Sequence, residues 1–224
     1  MKLTVAKSVQ LLTLLLCACL FSPAQEGSRV AFRIPESDLI PEGIAYDSST
    51  GIFYVGSTYL RKIVSVNRKG VVRNFTAEAQ DGLRGVLGVK VDARRRILWA
   101  ISSHAGLGMP IKGNSRDCIG CSEIFKYDLK SGALIKKYTL ENKPRVHFLN
   151  DLALNSNGDV YISDTIAGDV YFISRQTDKL EVLASFGQTA YPNGLDLSPN
   201  GRLLFVAIDG GVQTIDLQSG KTSF

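Results

Sequence analysis

The sequence predicts an all-β chain, a β-propeller of four-stranded blades, on three observations. From residue 40 onward it is a series of short strands separated by turn formers, without sustained helical periodicity. One phrase, an apolar–polar alternation ending in a turn former, returns four times. Each return is followed by the same succession of further strands.

The phrases are Pro41-Glu42-Gly43-Ile44-Ala45-Tyr46-Asp47, Val86-Leu87-Gly88-Val89-Lys90-Val91-Asp92, Leu149-Asn150-Asp151-Leu152-Ala153-Leu154-Asn155 and Pro192-Asn193-Gly194-Leu195-Asp196-Leu197-Ser198. Aligned at Gly43, Gly88, Asp151 and Gly194, the units lie 45, 63 and 43 residues apart. A period of about 40–50 residues with four strands per unit is the signature of a propeller blade. A sandwich of ordinary hairpins accounts for the strands but not for the recurrence.

A second strand follows each phrase: Gly51 to Val55, Arg96 to Ala100, Gly158 to Ser163 and Gly201 to Ala207. Asn157-Gly158 and Asn200-Gly201 predict tight primed turns, because glycine and asparagine tolerate positive φ. Third and fourth strands are expected at Ile63 to Val66 and Val71 to Phe75, at Glu123 to Asp128 and Leu134 to Leu140, and at Asp169 to Ile173 and Leu180 to Ala184. The fourth unit reaches a third strand, Val212 to Leu217, and the turn Ser219-Gly220, and is expected to lack its fourth strand. The long second interval holds an insertion, about His104 to Cys121, and insertions in propellers fall in loops on one face. The whole reads as about four blades of an expected six, an incomplete propeller domain over 25–224.

The N-terminus predicts export. Lys2 and Lys7 precede an apolar stretch, Leu11 to Phe21, followed by Ser22-Pro23-Ala24, so 1–24 reads as a signal peptide cleaved after Ala24. The stretch is short for a transmembrane helix, which takes about 20 residues, and nothing else could span a bilayer. Leu16-Cys17-Ala18-Cys19 offers a competing reading, a bacterial lipoprotein box with a lipid anchor on Cys19. Either way the protein is expected in the periplasm or secreted. The formal charge of +5 falls to about +3 without Lys2 and Lys7, too little to predict a nucleic-acid partner. The run Arg94-Arg95-Arg96 reads as a solvated turn rather than a phosphate patch.

Cleavage leaves two cysteines, Cys118 and Cys121. In an oxidising compartment they predict a small disulfide or free thiols. A zinc site needs two more ligands, and His104 and His147 are not spaced as partners. A redox pair lacks the surrounding βαβ pattern. Gly82 to Gly88 is glycine-spaced but leads into a strand, so it is no dinucleotide loop, and no Ser-His-Asp arrangement with a nucleophile elbow is present.

Propellers place ligands at the mouth of the central channel, on the loops entering each innermost strand. Here those positions hold Glu42, Asn150, Asp151 and Asn193, oxygen donors arriving from separate blades. Hard divalent cations take such donors. The same residues are also good turn formers, which is the structural alternative.

Pro41-Glu42-Gly43, Leu149-Asn150-Asp151 and Tyr191-Pro192-Asn193-Gly194-Leu195-Asp196-Leu197-Ser198-Pro199-Asn200-Gly201 resemble the senescence-marker-protein/gluconolactonase family, the regucalcin-like proteins, over about residues 38 to 224. The resemblance implies a six-bladed propeller with one catalytic divalent cation, Ca²⁺ foremost and Zn²⁺, Mg²⁺ or Mn²⁺ as alternatives, and hydrolysis of sugar lactones. It implies Glu42, Asn150 and Asn193 as metal ligands and Asn150 as a contact to a small-molecule substrate. His147, three residues before Asn150, is expected to contact substrate, and His104 could line the substrate mouth. The family's metal-bound Asp, often assigned as general base, comes from a blade after the Pro-Asn-Gly one, and Asp151, Asp164 and Asp209 are not its obvious equivalents. The alternative function is a non-catalytic propeller that binds a protein or carbohydrate.

Overall fold

In the computed structural model of the chain, residues 30–104, 106, 109–113 and 118–224 are described. The expected signal peptide, with Lys2, Lys7 and the candidate lipid-bearing Cys19, lies outside the described residues. No helix among the described residues is long and apolar enough to cross a membrane.

Among the described residues, sixteen strands follow in chain order within Ile34–Phe224. Blade 1 comprises β1 (Pro41–Asp47), β2 (Ile52–Ser57), β3 (Lys62–Val66) and β4 (Val72–Asn74). Blade 2 comprises β5 (Gly85–Asp92), β6 (Ile97–Ser103), β7 (Ser122–Asp128) and β8 (Leu134–Leu140). Blade 3 comprises β9 (Leu149–Leu154), β10 (Val160–Asp164), β11 (Asp169–Ile173) and β12 (Leu180–Ser185). Blade 4 comprises β13 (Leu195–Leu197), β14 (Leu203–Ile208), β15 (Gly211–Asp216) and β16 (Thr222–Ser223). Each blade is an antiparallel meander, its strands paired in chain order. Blade 4 therefore has a fourth strand, contrary to expectation: two residues, Ser223 and Thr222, pair with Thr214 and Ile215. So short a strand carries no alternation that the sequence could display.

The β9–β10 and β13–β14 turns also differ from expectation. Gly158 (φ 91°) and Gly201 (φ 70°) are left-handed, but Asn157 and Asn200 are not. Gly158 N–H donates to the Asn155 carbonyl at 3.0 Å, and Gly201 N–H to that of Ser198 at 2.8 Å. Each loop is thus wider than a two-residue primed turn, with glycine alone taking the left-handed step.

The core lies between blades. Ala45, Tyr54 and Ile63 of blade 1 bury against Val89, Leu98, Ala100, Phe125 and Tyr127 of blade 2. Trp99, Ile101, Ile124 and Tyr138 of blade 2 bury against Leu149, Leu152, Ile162 and Ile173 of blade 3. Ala153, Tyr161 and Val170 of blade 3 bury against Leu195, Leu204, Val206 and Ile215 of blade 4. Alternation within each strand sends one set of side chains to the preceding blade and the other to the following one.

Polar staples cross the same joints. Arg96 Nη1 donates to Asp47 Oδ2 at 2.8 Å, linking blades 1 and 2. Arg95 donates to the Ser156 carbonyl at 3.3 Å, linking blades 2 and 3. The basic run is therefore not merely solvated: two of its three guanidiniums bind neighbouring turns. On the outer side, Asp178 of blade 3 accepts from Lys126 at 2.9 Å, Lys136 at 2.7 Å and the Tyr138 hydroxyl at 2.5 Å, all of blade 2. Cys118 and Cys121 form a disulfide at the base of the insertion.

Candidate functional site

The inner strands meet along the axis at close range. A Cβ on Gly43 would collide with the Leu87 carbonyl and stand 2.9 Å from the Val89 nitrogen. A Cβ on Gly88 would stand 3.0 Å from both the Asn150 carbonyl and the Asp151 Cα. These two glycines recur because the next blade's backbone occupies the space a side chain would need.

Beside each contact the strand pairing shifts register, between Pro41 and Ile44, between Val86 and Val89, and opposite the Ile162–Asp164 interval. A bulge of this kind re-aims the residue it displaces. The residue before the alignment position in each unit is Glu42, Leu87, Asn150 or Asn193, and all four line one cavity of about 290 Å³. Asp151 and Lys90 line it too. Glu42, Asn150 and Asn193, far apart in sequence, are thus brought to one space.

Hydrogen bonds decide which oxygens face that space. Asn150 Nδ2 donates to Thr165 Oγ1 at 3.2 Å, and Thr165 Oγ1 donates to the Pro192 carbonyl at 2.6 Å. This chain fixes which end of the amide is the donor and ties Asn150 to the residue before Asn193. Asn193 is itself held by its backbone N–H, which donates to the Ala207 carbonyl at 3.0 Å. Asp151 Oδ1 accepts the Leu152 N–H at 2.8 Å. Among the described residues, no donor reaches Asn150 Oδ1, Asp151 Oδ2, the Glu42 carboxylate or the Asn193 side chain.

His147 is not brought to this cavity. It is buried, its Nδ1 2.6 Å from Oδ2 of the fully buried Asp164. Asp164 Oδ1 accepts the Phe148 and Ala167 N–H groups at 3.0 and 3.1 Å. The pair pins the loop that delivers Asn150 three residues later. His104 is buried too, its Nδ1 accepting the Gly106 N–H at 3.1 Å, and it does not line the cavity.

The donor set can be tested against a cation. Its candidate donors, from Glu42, Asp151, Asn150 and Asn193, are all oxygens. Among the described residues no cluster of three or more His, Cys, Asp or Glu could hold a metal. Amide oxygens and water would have to complete the shell, which fits Ca²⁺ or Mg²⁺ and not a thiolate or imidazole site of the Zn²⁺ kind.

No protein-family model matches the chain, and no curated protein matches it by sequence. Solved structures do resemble it. A streptogramin B lyase superposes with a TM-score of 0.65 at 15% identity, over 86% of this chain and 56% of that one. A chain of the nidogen/laminin complex gives 0.61 at 17%, over 82% of this chain and 62% of that one. A gluconolactonase from Xanthomonas campestris gives 0.58 at 17%, over 82% of this chain and 60% of that one. The fold is a β-propeller. The chain spans between 56% and 62% of the length of these three propeller-type neighbours. At such identities the likeness establishes the fold and the blade arrangement, not the chemistry.

Sequence reasoning missed Thr165 and Lys90. Thr165 ends the β10 hairpin with no motif of its own, and its link to Asn150 exists only once two blades are folded together. Lys90 reads as an ordinary polar position in an alternating strand.

Proposed function

We propose that the protein is a divalent-metal-dependent hydrolase of sugar lactones or related esters. The observation that carries this is the shared cavity of Glu42, Asn150 and Asn193, three oxygen donors delivered by three blades. The fold likeness to a gluconolactonase supports it. Glu42, Asn150 and Asn193 would hold the cation, Ca²⁺ by the oxygen-only donor set. A bound cation of this class polarises a carbonyl and lowers the pKa of bound water.

The chain's own residues do the rest. Thr165 holds the Asn150 amide so that its oxygen, not its nitrogen, remains for the ligand. The Asp151 oxygen left over from Leu152 is placed to accept a hydrogen bond from a substrate hydroxyl or a water. Lys90 brings a positive charge to the same wall, suited to an ester carbonyl as negative charge develops on it. Glu42 and Asn150 lie on β1 and β9 beside the bulges, so this part of the site is preorganised. The N-terminal segment adds export as part of the proposal.

The test is hydrolysis of a panel of five- and six-membered sugar lactones, with Ca²⁺ and with chelator. Chelator-sensitive turnover, lost in Glu42→Gln, is the expected result. Turnover unchanged by chelator removes the metal. No turnover on any lactone, with intact Ca²⁺ binding, moves the protein to a binding propeller, a role that the nidogen/laminin likeness accommodates.

A further inference from the structure

The insertion between β6 and β7 returns to blade 2 through a short turn that the Cys118–Cys121 disulfide closes. Inside it the Cys121 N–H donates to the Cys118 carbonyl at 3.0 Å. The turn adds one rung to the β6–β7 pairing: Gly120 N–H donates to the His104 carbonyl at 2.8 Å, and His104 N–H to the Cys121 carbonyl at 3.1 Å. The end rung of a ladder frays unless something clamps it, and here the clamp is the covalent bond. The backbone agrees. Cys118 is left-handed, with φ 67°, a conformation that a residue with a Cβ holds only under constraint.

The segment before Asn150 rests on this turn. His147 N–H donates to the Gly120 carbonyl at 3.2 Å. Val146 packs so closely that a Cβ on Gly120 would stand 2.6 Å from its Cγ1. Asn142 Nδ2 reaches Cys118 Sγ itself at 3.6 Å. From His147 the contacts run on to the site: its ring meets Asp164, and Thr165, next in sequence, accepts from Asn150 Nδ2. All of these contacts lie at the joint of blades 2 and 3. A second support is independent of the turn. Leu149 N–H donates to Ser122 Oγ at 3.1 Å, and the Leu149 carbonyl accepts from Ser103 Oγ at 2.8 Å. Opening the disulfide therefore loosens His147 and the residues before it, and leaves Asn150 displaced rather than detached.

We propose that Cys118–Cys121 is a reversible redox site, through which a dithiol reductant sets the order of the segment that delivers Asn150. One thiolate of the reductant attacks Cys118 Sγ, because Cys118 is half-buried whereas Cys121 is only 8% exposed. The protein S–S bond breaks, Cys121 leaves as a thiolate and takes a proton, and a mixed disulfide remains on Cys118. The second thiolate of the reductant then attacks its own sulfur in that mixed disulfide, closing a disulfide within the reductant. Cys118 leaves and is protonated in turn. The protein gains two electrons and two protons, and one dithiol is oxidised. Exchange with a disulfide oxidant reverses the step. The pair acts on its own chain, so it does not need the βαβ setting of a thiol catalyst. The consequence for cation affinity rests on the metal site proposed above; the loosening of the segment does not.

Hydrogen exchange read by mass spectrometry tests this on the full chain, oxidised, after dithiothreitol and after reoxidation, with alkylation and peptide mapping of Cys118 and Cys121. Reduction should speed exchange over residues 145–149 by about tenfold, the weight of one lost hydrogen bond, and leave β2 unchanged. Reoxidation should restore it. Cys118→Ser/Cys121→Ser should exchange like the reduced chain with or without reductant. Ca²⁺ affinity of the same samples should fall severalfold on reduction. A bond that the dithiol does not open in the folded chain overturns the proposal, as does equal exchange over 145–149 in the two forms. Loss of the whole β signal in circular dichroism on reduction overturns it too, since the bond would then hold the fold and not this segment. Measurable but unchanged Ca²⁺ affinity overturns the link to Asn150. An oxidised chain that binds no Ca²⁺ defeats the metal reading alone, and the exchange result still decides the redox site.

Discussion

Asp178 is the sharpest place to perturb the packing that supports the site. It sits in the β11–β12 turn of blade 3 and collects Lys126, Lys136 and the Tyr138 hydroxyl from blade 2. Tyr138 in turn stacks on Trp99, and Lys126 lies over the Trp99 ring. Burial pushes the Asp178 carboxyl up, but bonds from Lys136, Tyr138 and Lys126 outweigh it and hold the group down at about 2. Against a normal value near 3.8 that shift is worth ~2.4 kcal/mol at full strength. The side chain is 35% exposed, so solvent screening reduces this to about 1 kcal/mol. The depressed folded-state pKa means the stabilisation is fully present above pH ~4 and disappears as pH falls toward 2. Asp178→Asn should therefore lower Tm by about 2–4 °C at pH 7. In urea titrations the deficit against the parent chain should shrink to about half by pH 3. A deficit equal at pH 7 and pH 3 would show that lost packing, not lost charge, is responsible, and the electrostatic reasoning would fail.

Two further outcomes follow from the site itself. Gly88→Val puts a branched side chain against the Asn150 carbonyl and Asp151 Cα, backbone that cannot swing aside, and should cost about 2–3 kcal/mol in urea unfolding; a neutral effect would mean that β5 and β9 are not in contact. Thr165→Val removes the donor–acceptor link between Asn150 and the Pro192 carbonyl, while Thr165→Ser keeps it. Lactone KM should rise several-fold in the valine variant and recover in the serine one, with kcat less affected; equal behaviour of the two variants contradicts an orienting role for the hydroxyl.

The architecture was legible because blade packing writes itself into sequence. Gly43 and Gly88 recur where the next inner strand leaves no room for Cβ, and the position before the alignment point recurs because each inner strand enters its blade beside the same cavity, with a bulge there in the first three blades. That is why Glu42, Asn150 and Asn193 could be picked out from a repeat alone. What the sequence hid depends on contacts between distant segments. His147 looked like a site residue because it lies near Asn150, yet its ring is committed to Asp164, 17 residues on. Thr165 and Asp178 act across blades, and no local pattern marks them. Arg95 and Arg96 looked like a solvated run because their acceptors, Ser156 and Asp47, lie 61 and 49 residues away. The Cys118–Cys121 bond was one of the alternatives that spacing left open.

The central claim is that one cation shares the oxygens of Glu42, Asn150 and Asn193, and calorimetric titration with Ca²⁺ addresses it directly. The parent chain should bind one Ca²⁺ per cavity, Glu42→Gln should weaken binding at least tenfold, and Asn193→Ala should weaken it severalfold, with Tm of the apo forms unchanged within a degree or so. Equal affinity in all three chains would contradict the account, because the convergence of these side chains would then have nothing to do with a metal.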